Sequence, residues 1–172
     1  MLRSELPSSE YNPFYHNYVL SLSEEATLMG ALESGRNEFL AMLEKAPDPK
    51  LGFAYAEGKW TLAELLLHVI DAERVFQYRA LRFARNDKTP LPGFDQDEYV
   101  PMSNASSRTK QGLMEEYSAV RESSIILFKS FNAEVLKRVG VASGSKMSVR
   151  AMGFIISGHQ AHHLKIIRER YL

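Results

Sequence analysis

The 172-residue sequence contains no cysteine, which removes disulfide pairing, thiolate metal sites and a cysteine nucleophile together. It has no surplus charge either. Twenty-one lysines and arginines balance twenty-one aspartates and glutamates, and the two signs alternate along the chain, so the basic stripe that nucleic acid or an anionic membrane recruits is missing. Long hydrophobic runs are absent: Ile125-Ile126-Leu127-Phe128 is among the longest, far short of the ~20 residues that span a bilayer. The opening Met1-Leu2-Arg3-Ser4-Glu5-Leu6-Pro7 lacks the apolar stretch of a signal peptide. These absences predict a cytoplasmic protein whose partner is a small molecule, with no nucleic acid and no membrane.

Several catalytic signatures are missing as well. There is no H-E-x-x-H, Walker loop, G-x-S-x-G or G-x-G-x-x-G, and no Glu-x-x-His pair of the kind that builds a di-iron site in a bundle. What remains is ordinary globular composition, 45% hydrophobic and 24% charged, which predicts a single domain over residues 1–172. A chain of this length builds its core without a staple. Any bound metal is therefore expected to serve function rather than folding.

Residues 1–23 read as an irregular arm rich in aromatics (Tyr11, Phe14, Tyr15, Tyr18) and interrupted by Pro7 and Pro13. Apolar positions then recur at helical spacing over 24–45, 61–85, 108–131 and 149–170. Thr61-Leu62-Ala63-Glu64 has the form of a capping box, and Ser148 is a plausible N-cap. Residues 88–107, with Pro90, Pro92, Gly93 and Pro101, form a long connection of the kind used for lids and crossovers. A Gly-Ser-rich turn over 140–145 precedes the last helix. The expected fold is all-α, a four-helix bundle with a long crossover between its second and third long helices. Gly153 and Gly158 would permit close helix approach within the bundle or between subunits.

Of five histidines, three fall in Gly158-His159-Gln160-Ala161-His162-His163. At about 100° per residue, Met152, Ile156, His159, His163 and Ile166 share one inward arc, with His162 at its margin. Two imidazoles at i and i+4 on a buried face can chelate one ion, and a metal gives both rings a partner. His68 lies at the edge of the second helix's apolar arc, equally compatible with a half-exposed surface histidine and with a third ligand. His16, within the aromatic arm, reads as packing or hydrogen bonding. Glu73 sits in the apolar stripe of the second helix and needs a cationic partner, for which Arg74, Arg79, Arg82 and Arg85 are the sequence neighbours. With Asp71, Asp95 and Asp97 it is also a candidate acid or base. The catalytic residues stay unassigned.

The segments Glu57-Gly58-Lys59-Trp60-Thr61, Asp71 to Arg82, Leu91-Pro92-Gly93-Phe94-Asp95-Gln96-Asp97 and Gly158 to His163 together resemble the DinB-like (DinB/YfiT) superfamily of metal-binding four-helix bundles, over roughly residues 11–172. The resemblance implies a metal triad at His68, His159 and His163, a zinc or nickel ion, and a homodimer. Three histidines leave a coordination position open, the arrangement of a catalytic site. The first expected function is activation of a low-molecular-weight thiol such as bacillithiol for S-transfer to a small electrophile. The alternatives are a metal-dependent hydrolase and a non-catalytic metal- or ligand-binding stress-associated protein.

Overall fold

The computed structural model describes residues 1–172. Its elements are α1 (His16–Leu20), α2 (Leu28–Lys45), α3 (Leu62–Ala84), α4 (Gln96–Met102), α5 (Lys110–Lys129), α6 (Ala133–Leu136), β1 (Val139–Ala142), β2 (Ser145–Ser148) and α7 (Val149–Arg170). The four long helices α2, α3, α5 and α7 start where hydroxyl side chains satisfy free amide groups. Thr27 caps α2, so that helix begins four residues later than its periodicity predicts; Thr109 caps α5 and Ser148 caps α7. The Thr61–Glu64 capping box of α3 is formed, with Glu64 Oε2 accepting the Thr61 amide at 2.7 Å.

Cross-helix partners fix the direction of each helix. Between α2 and α5, Leu32 meets Arg121, Phe39 stacks on Tyr117 and Ala46 meets Lys110, so these run antiparallel. Between α3 and α7, Trp60 meets Tyr171 and His68 meets His159, again antiparallel. Between α3 and α5, Arg74 meets Glu116 and Gln77 meets Ser123, an arrangement that runs parallel. The order is therefore up, down, down, up, and the chain leaving α3 must travel back along the bundle before α5 can start. Residues 85–109 make that return, which is the predicted crossover.

Three local features differ from the sequence expectation. The arm is not irregular throughout, since residues 16–20 form α1, which packs on α7. The return segment contains α4, N-capped by Asp95. The Gly-Ser-rich stretch is the tip of a β-hairpin whose two turn residues, Ser143 and Gly144, have φ of 51° and 73°, as a tight two-residue hairpin turn requires. Leu91 of the return segment hydrogen-bonds to this hairpin at Val141 O (2.9 Å). The return segment is thereby tied to the end of the bundle before it doubles back.

The core has two apolar halves. One gathers Leu62–Ile70 of α3 with Phe39, Tyr117, Leu164 and Ile167; the other gathers Phe76–Ala84 with the first half of α7 and the hairpin. Between them lies a layer of buried polar side chains: Glu73, Arg121, Gln160, His68 and His159. No helix is long and apolar enough to cross a membrane.

Candidate metal centre

The capping box sets the start of α3 and so places His68 two turns into the helix, facing α7. There its Nε2 lies 3.0 Å from His159 Nε2, which lies 3.0 Å from His163 Nε2. All three ring nitrogens fall within 4.8 Å of one another. His68 and His159 are buried, at 5% and 6% exposure, and His163 is partly buried. The structure thus draws together the three histidines singled out from sequence, and His68 is not the half-exposed surface residue its helical position also allowed.

The donor set fits a divalent ion. A neutral imidazole nitrogen carries either one proton or one in-plane lone pair, so His159 Nε2 cannot make full hydrogen bonds with two other ring nitrogens at once. A cation between them satisfies all three, and separations near 3 Å suit ligands that each stand ~2.1 Å from a shared ion. Burial favours the neutral, ligating form of each ring. It lowers the pKa of His68 to about 4, with the Asp97 charge opposing, and that of His163 to about 3; His159 is held well below its ordinary value by burial and by the neighbouring imidazoles. Trp60 packs beside His68 and Tyr18 packs edge-on to His159, which shields the cluster from water.

The remaining candidates separate clearly. His16 bonds to the Tyr11 hydroxyl and takes no part in the cluster, while His162 lies against Tyr18 beside it. Glu73 does find an arginine, but none of its sequence neighbours: Arg121 of α5 donates to it from Nε and Nη2 at 2.8 and 2.7 Å. That bidentate pair commits Glu73 to structure. Asp71 pairs with Arg74, and Asp95 caps α4.

Asp97 is placed differently. With Asp95 it lines a cavity of about 330 Å³ beside His68 and His159, and unlike Asp95 it also lines a second opening that reaches His163. The first cavity is walled mainly by aromatics, Phe14, Tyr15 and Tyr18 from the arm, Phe76 from α3 and Phe94 from the return segment. The sequence shows that the arm is rich in aromatics but has no means of bringing them to the histidines. The signal was Gly158: a Cβ there would stand 2.0 Å from the Tyr18 carbonyl oxygen. Only glycine lets α1 lie this close to α7, one residue before His159.

Comparison with known proteins agrees with this fold. A family model described as the DinB superfamily matches residues 31–167. A protein of Oceanobacillus iheyensis, provisionally named a metal-dependent hydrolase, is 26% identical over 141 residues, covering 80% of this chain and 79% of the relative. YfiT from Bacillus subtilis, described as having an unusual four-helix-bundle topology, superposes with a TM-score of 0.73 at 16% identity, over 98% of this chain and 95% of its own. A mycothiol-dependent maleylpyruvate isomerase superposes with a TM-score of 0.66 at 11% identity, over 84% of this chain and 59% of its own.

Proposed function

The chain belongs to the DinB superfamily, and from that premise and the convergence of three imidazoles we propose that it is a metal-dependent hydrolase of small molecules, with His68, His159 and His163 as ligands to zinc or nickel. The observation that carries the reading is the pairing of this all-imidazole cluster with an aromatic cavity and one carboxylate, Asp97, that reaches both openings to it. A divalent ion held by these three neutral imidazoles would keep its charge and would lower the pKa of a bound water to about 7.

The chain's own residues supply the rest. Asp97 accepts the proton released as water attacks and returns it to the leaving group, a general base and acid role that contributes typically ~10²–10⁴-fold. The aromatic wall excludes bulk water and holds an apolar substrate body. The relative from Oceanobacillus and YfiT both carry the provisional description of metal-dependent hydrolase, which supports water as the nucleophile.

The test is elemental analysis of untagged protein beside His68→Ala and His159→Ala variants, followed by ester and amide hydrolysis with Asp97→Asn. Each histidine variant is expected to lose most of its metal while staying folded. Asp97→Asn is expected to keep the metal and lose at least tenfold in kcat. Full occupancy in both histidine variants refutes the ligand assignment, and unchanged turnover in Asp97→Asn refutes the base.

A second reading, thiol S-transfer, is favoured by the fold shared with the mycothiol-dependent isomerase. With no cysteine in the chain, the sulfur would have to come from an added thiol such as bacillithiol or mycothiol. Turnover that requires such a thiol distinguishes the two.

A further inference from the structure

Three arginines are buried in this protein, and two of them have a carboxylate. Arg121 is paired with Glu73, and Arg150 with Glu10. Arg79, only 2% exposed, has none. Its Nη2 donates to the Pro92 carbonyl oxygen at 2.8 Å and to Ser143 Oγ at 3.0 Å, and its Nη1 is buried without any partner. A guanidinium keeps its charge in any protein environment, and a buried charge without a counter-ion is costly. Such a group is stabilised when an anion arrives.

The surroundings of Arg79 say where that anion would come from. Its guanidinium carbon lies 5.8 Å from the ring centres of Phe76 and of Phe94, and Tyr15 and Ser143 are its hydroxyl-bearing neighbours. All four of these residues line the cavity that also contains His68 and His159, and Arg79 stands directly behind them; the carboxylates of the same wall are Asp95 and Asp97. Ser143 stands at the hairpin tip, where its hydroxyl oxygen accepts from Arg79 Nη2 and its own proton is donated to no protein acceptor.

Arg79 stands eleven positions after His68 on α3, three turns away and within about 20° of the same face, with roughly 16 Å of rise between the two. A long side chain leans back toward the helix N-terminus, which shortens the span. The negative charge of Asp97 acts at the other end, on His68.

We propose that this cavity takes small molecules with an apolar body and a carboxylate, the carboxylate lying against Ser143 and Tyr15, where the charge of Arg79 directly behind them favours it, while the other end of the molecule lies at the histidine cluster. Calling that molecule the substrate rests on the hydrolytic reading; the recognition of the carboxylate does not.

The experiment measures binding of 3-phenylpropionate and of its neutral amide, by calorimetry, to the full chain with zinc and after chelation. The acid is expected to bind at least tenfold more tightly than the amide in both states, and more weakly as salt rises. Arg79→Gln is expected to equalise the two ligands without weakening the amide. Arg79→Lys, which keeps the charge and loses the planar donor pair, is expected to restore part of the preference. His68→Ala is expected to retain the preference whether or not it binds zinc, so failure of the metal assignment leaves this result intact. Equal binding of acid and amide by the wild-type protein overturns the proposal, as does a preference that survives Arg79→Gln or one that Arg79→Lys abolishes together with amide binding.

Discussion

Replacing Glu73 with methionine isolates one charge at the centre of the bundle. Arg121 has no exposed side-chain surface and Glu73 almost none, at 0% and 2%, so water cannot take over the two hydrogen bonds that are lost. Only the bond from Arg121 Nη1 to the Leu32 carbonyl oxygen would remain. Breaking a buried ion pair from one side costs about 3–5 kcal/mol. At about 2–4 °C per kcal/mol for a chain of this size, the midpoint of thermal unfolding should fall by roughly 6–20 °C. Removing both charges, with Glu73→Met and Arg121→Met together, should recover most of that loss, because no uncompensated ion remains. Urea unfolding followed by circular dichroism of the wild type, the two single variants Glu73→Met and Arg121→Met, and the double variant yields the coupling between the sites. A loss below about 1 kcal/mol in Glu73→Met, or a double variant no more stable than that single one, would refute the assignment of Glu73 to structure.

Gly158→Ala should push α1 off α7, because the added carbon meets a backbone oxygen at 2.0 Å that cannot rotate away. Faster proteolysis within residues 11–22 and a lower melting temperature are expected, and wild-type resistance would contradict the close approach. Glu116 has a lowered pKa: partial burial pushes it up, but bonds from Arg108 and Arg74 outweigh that. A carboxyl held lower in the folded than in the unfolded state stabilises at neutral pH, and that contribution disappears as pH falls through the folded value. Glu116→Gln should therefore be less stable at pH 7 and lose less stability between about pH 5 and pH 3; parallel acid titrations of both proteins would exclude the effect.

The four helical periods and the His159–His163 pair were legible because each depends on repeats of three and four residues within one segment, whereas His68 was left open by its helical position and joined them only through the family resemblance. His159 and His163 announced themselves by spacing alone, and the length of residues 88–107 signalled that the second and third long helices are not joined by a tight turn. What was hidden required knowing which helices touch. Arg121 follows Leu113 and Tyr117 at intervals of four, on the inward arc of α5, but a charge there gains meaning only once α5 is set beside α3. The hairpin escaped notice because its strands have four residues each and its turn uses Ser-Gly instead of the stronger Asn-Gly signal. Arg79 stood out only as one of four arginines near Glu73 in sequence, since nothing local shows that residues 15, 94 and 143 close around it.

The parallel course of α3 and α5 separates two jobs among the parts of the chain. The three imidazoles ride on α3 and α7, two rigid rods packed against each other, whereas most of the cavity wall beside them comes from the arm, the hairpin-tip serine and the long return from α3 to α5. Those peripheral stretches can be rewritten, lengthened or exchanged between relatives without shifting an imidazole. Such a layout lets one scaffold keep a constant histidine cluster while the walls around it drift.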